Sequence, residues 1–370
     1  MKEAEFFITN ANDALKIGAT NYAQDRFLQK SKKHYIYIKN ISSIAANILK
    51  QDAISVGANV LNHKNAILGQ DKFDSILEIN EINIKDLANK LKLQQFSCTR
   101  LSEFLDELKI SKEYPKIMAI MNINNDSFYE PSRISEKEFL NKAYELINDG
   151  ASIIDIGAMS SRPNSKYLGE DLELARLEAI FKIIKEHKLY EKTELSLDSF
   201  SFKAQQIALD LGFKYINDIS ANTALSNLAL KYDATYILMH SQNDYIKNYL
   251  GENTEINSSK NTRNKFQILS DVYNFFESKL KEIKSKVLID CGIGFGKNEF
   301  ENLVLIKHLN HFKTLRKPIL LAASNKRCFG DEKELKSLVA HAMSDVSYIR
   351  VHNVKSQFEL IKYLKKMDEI

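Results

Sequence analysis

The chain has 370 residues, 44% of them hydrophobic, and its 52 lysines and arginines against 48 aspartates and glutamates leave a net charge of +4. That length asks for a large barrel or two domains, and no stretch approaches the ~18 continuous apolar residues of a membrane span. The basic residues form no long block interleaved with aromatics, which argues against nucleic acid and leaves small anionic ligands as partners.

The opening MKEAEFFITN has no basic-then-apolar leader pattern, so a cytoplasmic protein is expected. Cys98, Cys291 and Cys328 are an odd count at spacings that fit no zinc ligand set, and they read as buried or incidental thiols.

In chain order, residues 1–112 come first, as a small α/β domain. Strand-like HYIYIKN and FDSILEIN flank a helix at about Ile41 to Ser55, and a second helix, INIKDLANKLK, begins near Ile82. Gly57 and Gly69 are isolated and head no phosphate loop, so this part carries no legible chemistry and reads as a scaffold or oligomerisation element.

From Lys116 onward, short apolar strands alternate with longer amphipathic helices. The strands are KIMAIMN to Asn122, SIIDIG to Gly157, LSLDS to Ser199, KYINDI to about Asp218, TYILMH to His240, KVLIDCG to Gly292, PILLAAS to Ser324 and YIRVHNV to about Val354. Between them, SEKEFLNKAYELINDG has Ser135 as a cap, Glu138 three residues on and Gly150 as a stop; DLELARLEAIFKIIKEH begins acidic at Asp171 and ends basic. Eight such repeats in residues 113–370 predict a (β/α)8 TIM barrel.

In that fold the loops that converge over the mouth follow the C-terminal strand ends, so chemistry belongs there. Nearly every strand here ends in a polar or ionisable side chain. Asp198, Asn217, Asp290 and Lys326 offer the mixed donors and acceptors that a flat, nitrogen-rich heterocycle requires, and Met239 can pack on its face. This set predicts a pterin-like or purine-like pocket. Asn122, Ser161, Arg350 and His352 come from strands one, two and eight, neighbours once the barrel closes, and form an anion clamp for a phosphorylated leaving group. Asn122 supplies one oxygen to Mg²⁺, which otherwise keeps water and phosphate ligands.

Other polar residues have plainer readings. Asp155, inside an apolar run, reads as a buried orienting carboxylate, and His240 either supports the site or acts in it directly. GIGFGK lacks P-loop spacing and reads as a tight turn after Asp290. His187, His308, His311 and His341 fall in helical stretches and read as surface or packing residues.

The blocks NINNDSFYE, GASIIDIGAMSSRPN, LSLDSF with YINDIS, LMH, IDCGIGFGKNEFEN, SNKRCFG and IRVHNV resemble, in order and spacing, dihydropteroate synthase of the folate pathway. The resemblance runs from about Lys116 to the C-terminus. It implies a transferase that joins p-aminobenzoate to 6-hydroxymethyl-7,8-dihydropterin diphosphate with Mg²⁺ as cofactor, a homodimeric state and sulfonamides as inhibitors. It also implies pterin binding by Asp198, Asn217, Met239, Asp290 and Lys326, and catalytic work by Asp290, Lys326, Arg350 and His352. The diphosphate and p-aminobenzoate fall to Asn122, Ser160, Ser161, Arg162, Pro163, Arg327, Arg350 and His352.

Departures from the family pattern are concentrated in loops: Asn124-Asn125, Ala158-Met159, Cys291, Asn325, Arg327 and Asn353. They bear on p-aminobenzoate more than on pterin, and Arg327 stands where it can replace charge absent at Asn325. Two rival readings share the fold: a methyltetrahydrofolate-binding methyltransferase, which leaves the anion clamp without a task and for which no DxHxxG cobalamin pattern is found, and a non-catalytic pterin-binding protein.

Overall fold

In the computed structural model the chain divides into two compact units, Met1–Ser111 with Ile370, and Lys112–Glu369. The structure describes residues 20–68, 72–95, 98–106, 114–123, 136–158, 167, 169–241 and 263–368. Asn124, Asn125, Met159, Ser160, Ser161, Arg162 and Pro163 lie outside the described residues, as do Gly69 and the expected cap Ser135.

The N-terminal unit runs α1 (Asn21–Ser31), β1 (Lys33–Ser42), α2 (Ser43–Ser55), β2 (Asn59–Asn62), β3 (Lys72–Asn80), α3 (Ile84–Lys92) and α4 (Cys98–Asp106). β3 is central and antiparallel to both β1 and β2. Period-two alternation buries Ser75, Leu77 and Ile79 of β3, while α3 buries Ile84, Leu87, Ala88 and Leu91 at helical spacing. Leu49, Leu77, Leu87, Leu91 and Leu105 meet in one core. Sequence patterning had not revealed α1, β2 or α4. α1 buries no residue and β2 buries only Val60, so neither carries a readable period.

The second unit runs β4 (Lys116–Asn122), α5 (Glu136–Asn148), β5 (Ile153–Gly157), α6 (Glu170–Glu186), β6 (Glu194–Asp198), α7 (Phe202–Asp210), β7 (Tyr215–Asp218), α8 (Thr223–Lys231), β8 (Thr235–Met239), α9 (Lys265–Glu282), β9 (Lys286–Asp290), α10 (Glu299–Lys307), β10 (Ile319–Leu321), α11 (Lys333–Met343), β11 (Tyr348–Val351) and α12 (Val354–Asp368). All strand pairs are parallel, and β11 returns to β4, closing an eight-stranded barrel. Several strands stop short of the boundaries expected from sequence: β9 ends at Asp290 rather than Gly292, and β10 at Leu321 rather than Ser324. After β9 the backbone turns out of the sheet at Gly292, φ 64°, and beyond β10 it takes a left-handed conformation at Asn325, φ 55°. The expected strand end at Val354 is the first residue of α12.

Met118, Ile153, Tyr215, Ile237, Leu288 and Leu320, with Tyr348 against them, form an apolar cluster inside the barrel. The outward strand faces pack against the helices in a larger core that includes Ile117, Ile154, Ile216, Leu238 and Ile289. Gly150, at φ 105°, ends the α5 segment where an added Cβ would lie 2.3 Å from the Phe358 ring. Among the described residues, no helix is long and apolar enough to cross a membrane.

Candidate active site

Strand alternation carries the inner face from the apolar floor up to the mouth. Counting by twos from Met118, Ile153, Tyr215, Ile237, Leu288 and Tyr348 reaches Asn122, Asp155, Asn217, Met239, Asp290 and Arg350. Asp198 is in register with Asn217, and Met239 with Asp290. The period that fills the core therefore also aims the polar set inward.

Arg350 is the centre of that set. Its Nε donates to Asp155 Oδ2 at 2.6 Å, and its Nη2 to Asp198 Oδ2 at 2.6 Å. Asn217 Nδ2 donates to the same Asp155 oxygen at 2.9 Å. Asp155 is fully buried, as a carboxylate can be when an arginine and an amide both serve it. Sequence grouping had set Arg350 apart with His352 as an anion clamp, whereas the structure ties it into the carboxylate group. Two of its five donors are used in these bonds.

The electrostatics follow from burial. Desolvation pushes Asp198 up to about 6, with Arg350 opposing and Asp155 and Glu173 adding to the rise. Desolvation also raises Asp290, which accepts from Gly292 N at 2.8 Å and is opposed by Lys326 and Lys297. Lys326 is pulled down to about 8 by burial against the attraction of Asp290. Such carboxylates gain most from a ligand that brings N–H donors into the mouth.

An apolar wall stands beside them. Met239 and Ile219 pack together with Tyr167, Phe200 and Phe295. Lys326 Nζ lies 4.7 Å from the centre of the Phe295 ring, a cation–π contact that fixes the ammonium over the wall. A Cβ at Gly294 would lie 3.4 Å from Lys326 Cδ, so the lysine stem lies against this glycine. At Gly157 an added Cβ would meet Asn122 Oδ1 at 3.1 Å and Asp198 Oδ2 at 3.7 Å. Glycine thus leaves a gap between two oxygen-bearing side chains.

His352 is exposed, with Nδ1 2.9 Å from Ser324 Oγ, and the His352 N–H donates to the same oxygen at 3.2 Å. Arg327 is exposed in a short 3₁₀ turn, Arg327–Phe329. Neighbouring strand-end residues divide by parity. Asp218 faces away from the mouth and accepts from Ser220 N, Ser220 Oγ, Asn222 N and the Tyr236 hydroxyl, which makes it the staple of its loop. His240 packs edge-on against Phe275 of α9, with ring centres 4.9 Å apart, and burial pushes it down to about 2. It is a neutral packing residue. His187 pairs with Glu136 on the surface, and His341 is buried with Nδ1 2.7 Å from Gln357 Oε1.

Sequence reasoning passed over several residues that hold the site. Gln205 of α7 donates to the carbonyls of Leu197 and Ser199, at 2.9 and 2.6 Å, bracketing Asp198. Phe295 and Lys297 belong to the GIGFGK turn. A lysine inside a turn otherwise made of glycine and apolar residues was the available signal.

With this geometry, residues 118–352 match the family model described as Pterin binding enzyme. The bifunctional dihydropteroate synthase/dihydropteroate reductase of Helicobacter pylori is 34% identical, over 97% of this chain and 96% of its own length. The dihydropteroate synthase of Clostridium beijerinckii is 29% identical over 64% of this chain and 88% of its own. The solved dihydropteroate synthase of Clostridium difficile, crystallised in the presence of pteroic acid, superposes with a TM-score of 0.58 at 25% identity, covering 70% of this chain and 99% of that one.

Proposed function

The chain belongs to the family of pterin binding enzymes, as a dihydropteroate synthase, and on that footing we propose how this site joins p-aminobenzoate to 6-hydroxymethyl-7,8-dihydropterin diphosphate. The relatives favour this reaction over a corrinoid-linked methyltransferase or a non-catalytic pterin binder. The observation that carries the residue assignment is the network that joins half-buried Arg350 and Asp198 to buried Asp155 and Asn217.

Asp198 and Asp290 accept the pterin ring N–H and amino donors, Asn217 adds an amide, and Lys326 donates to a ring nitrogen or carbonyl. Met239 and Phe295 cover the ring faces. The bond between the pterin methylene and the diphosphate oxygen breaks, and its electron pair leaves with pyrophosphate. Arg350 and His352 take up the growing charge, while the carboxylates stabilise the electron-poor pterin. The p-aminobenzoate nitrogen uses its lone pair to form the new C–N bond and passes a proton to the departing pyrophosphate. Ser160, Ser161, Arg162, Pro163 and Arg327 hold the diphosphate and the aminobenzoate carboxylate in this reading.

Mg²⁺ fits the donor set: Asn122 Oδ1 beside Gly157 is a hard oxygen donor, suited to an ion that keeps water and phosphate ligands. Bound there with the diphosphate, Mg²⁺ supplies charge neutralisation for the leaving group. The decisive experiment is pyrophosphate release with the pterin diphosphate and Mg²⁺, with and without p-aminobenzoate. Arylamine-dependent release is expected; release that ignores the arylamine, or none, would overturn the reading.

A homodimer is part of the proposal. Leu335, Val339 and Met343 of α11, at i, i+4 and i+8, are 56%, 49% and 81% exposed, and Phe300 and Leu303 of α10 are also exposed. One apolar stripe on a helix favours a partner surface. Val339→Asp should sediment as a monomer; an unchanged dimer would move the interface elsewhere.

A second reading concerns the N-terminal unit. The Helicobacter pylori relative, aligned over 97% of this chain, is named also as a dihydropteroate reductase, whereas the Clostridium beijerinckii relative, aligned over 64%, is named as a synthase alone. We propose that the N-terminal unit contributes a reduction of dihydropteroate that draws its hydride from a reduced nicotinamide or flavin. Dihydropteroate-dependent oxidation of either donor by the full chain tests this, and its absence with both counts against it.

A further inference from the structure

Glu173 of α6 takes no part in the reaction outlined above, yet it is 1% exposed, and buried glutamates are rare unless their carboxylates are served by partners. Tyr167 donates its hydroxyl to Glu173 Oε2 at 2.9 Å, and the Ser199 hydroxyl hydrogen-bonds to the same carboxylate. Ser199 directly follows Asp198, the last residue of β6. One glutamate therefore grips the residue next to the carboxylate that shares Arg350 with Asp155.

The grip is repeated one turn earlier in the helix. Glu170, three residues before Glu173 and so on the same helix face, accepts from Ser201 Oγ at 2.6 Å. Ser201 N donates to Ser199 Oγ at 3.0 Å, which leaves the Ser199 proton for Glu173. Ser201 Oγ also caps α7, accepting from Ala204 N at 3.1 Å, and Gln205 of α7 holds the carbonyls on either side of Asp198. The segment from Asp198 to Ser201 is thus fixed by two helices. Tyr167 extends the arrangement to the apolar wall: its ring centre lies 4.5 Å from that of Phe200, and both rings pack with Met239 and Ile219.

Electrostatics agree with this placement. Burial raises Glu173, the two hydroxyls oppose the rise and Glu170 adds to it. The charged groups that face Asp198 are Arg350 of β11, Asp155 of β5, Glu173 of α6 and Lys326 beyond β10.

We propose that Glu173 is a positioning residue for the synthase reaction, holding Asp198 at the end of β6 through its hydrogen bonds with Ser199 and Tyr167. This role rests on the synthase reading, and it separates shape from charge. Losing the carboxylate leaves two hydroxyls without their buried acceptor, so Asp198 loosens and pterin binding weakens. An amide of the same shape keeps the grip but removes a negative charge near Asp198, so Asp198 holds its proton less tightly.

The test compares Glu173→Ala, Glu173→Gln and Tyr167→Phe with the unaltered enzyme, whose arylamine-dependent pyrophosphate release must first be present. Absence of that parent activity would defeat the synthase reading itself. Binding of 6-hydroxymethylpterin by calorimetry gives a second readout that is independent of turnover. At pH 8, Glu173→Ala should lose about tenfold or more in pterin affinity, and Glu173→Gln should recover most of that loss. In Glu173→Gln the acid limb of kcat/KM for the pterin diphosphate should move to lower pH than in the parent, a change that a purely structural role would not produce. Tyr167→Phe should lose affinity in the same direction by less, which keeps a test open if Glu173→Ala does not fold. Unchanged pterin affinity in a folded Glu173→Ala or, should that variant not fold, in Tyr167→Phe would overturn the proposal. So would a Glu173→Gln variant that binds as weakly as Glu173→Ala, or one whose acid limb stays with the parent's.

Discussion

Replacing Asp198 by asparagine should separate what the site needs from what the fold prefers. Asp198 and Asp155 share one guanidinium, that of Arg350, with Asp155 fully buried and Asp198 12% exposed. Burial lifts Asp198 from 3.8 to about 6 even though Arg350 opposes the rise. About two units correspond to a ceiling of ~3 kcal/mol that ionised Asp198 costs the fold at pH 8. The sign follows from linkage: between about pH 4 and 6 the folded chain holds a proton that the unfolded chain has released, so stability falls as pH rises through that window. The Asp198→Asn variant retains an oxygen acceptor for Arg350 and has no proton to lose. Urea unfolding should find it equal to the parent near pH 4 and more stable at pH 8, by no more than ~3 kcal/mol. Pterin binding should fall roughly 100-fold, because an amide replaces one acceptor with a donor facing the ring's own donors. In the parent, kcat/KM for the pterin diphosphate should decline below about pH 6 as Asp198 gains its proton. A variant less stable than the parent at pH 8, or a stability difference equal at pH 4 and pH 8, would refute the reasoning.

Other perturbations read the same geometry. Arg350→Ala leaves Asp155 and Asp198 facing each other without their cation, and urea unfolding at pH 8 should register a loss of about 3–5 kcal/mol. Gly292→Ala puts a Cβ 1.9 Å from His240 O on a residue at φ 64°, so thermal unfolding should show at least ~3 kcal/mol of destabilisation; a near-neutral result would mean that the two loops can separate freely. Arg327→Ala should raise KM for p-aminobenzoate about tenfold, as loss of a charge-assisted contact implies, with KM for the pterin diphosphate unchanged.

The barrel was legible because its strands are short β-branched runs and its helices are amphipathic. The strand ends were less so: SNKRCFG and CGIGFGKN continue apolar runs with residues that turn out of the sheet, and only backbone angles at Gly292 and Asn325 settle where pairing stops. The N-terminal unit was half legible. β3 and α3 bury alternate or helical faces, but α1 buries nothing and β2 one side chain, so their periods carry no signal. The roster of mouth residues came from strand ends alone, yet their wiring did not. A guanidinium at the end of the last strand is equally suited to an incoming anion and to carboxylates across the barrel, and only closure of β11 onto β4 brings Arg350 to Asp155 and Asp198.

Strand parity supplies what residue type could not. Asn217 and Asp218 are adjacent and polar, and composition offers no reason to separate them; Met239 and His240 are likewise adjacent, at the end of β8. Counting by twos from Tyr215 and Ile237 on the barrel floor sends Asn217 and Met239 to the mouth. It leaves Asp218 and His240 on the opposite face, where Asp218 staples a loop and His240 packs on Phe275. Lys297 escapes this rule because it lies beyond the strand, in a turn with no period. Its position becomes informative only when its ammonium is found on carbonyls from two different strand ends. Residues that hold a site in shape are therefore hardest to read where periodicity stops, since backbone acceptors leave no complementary side chain in the sequence.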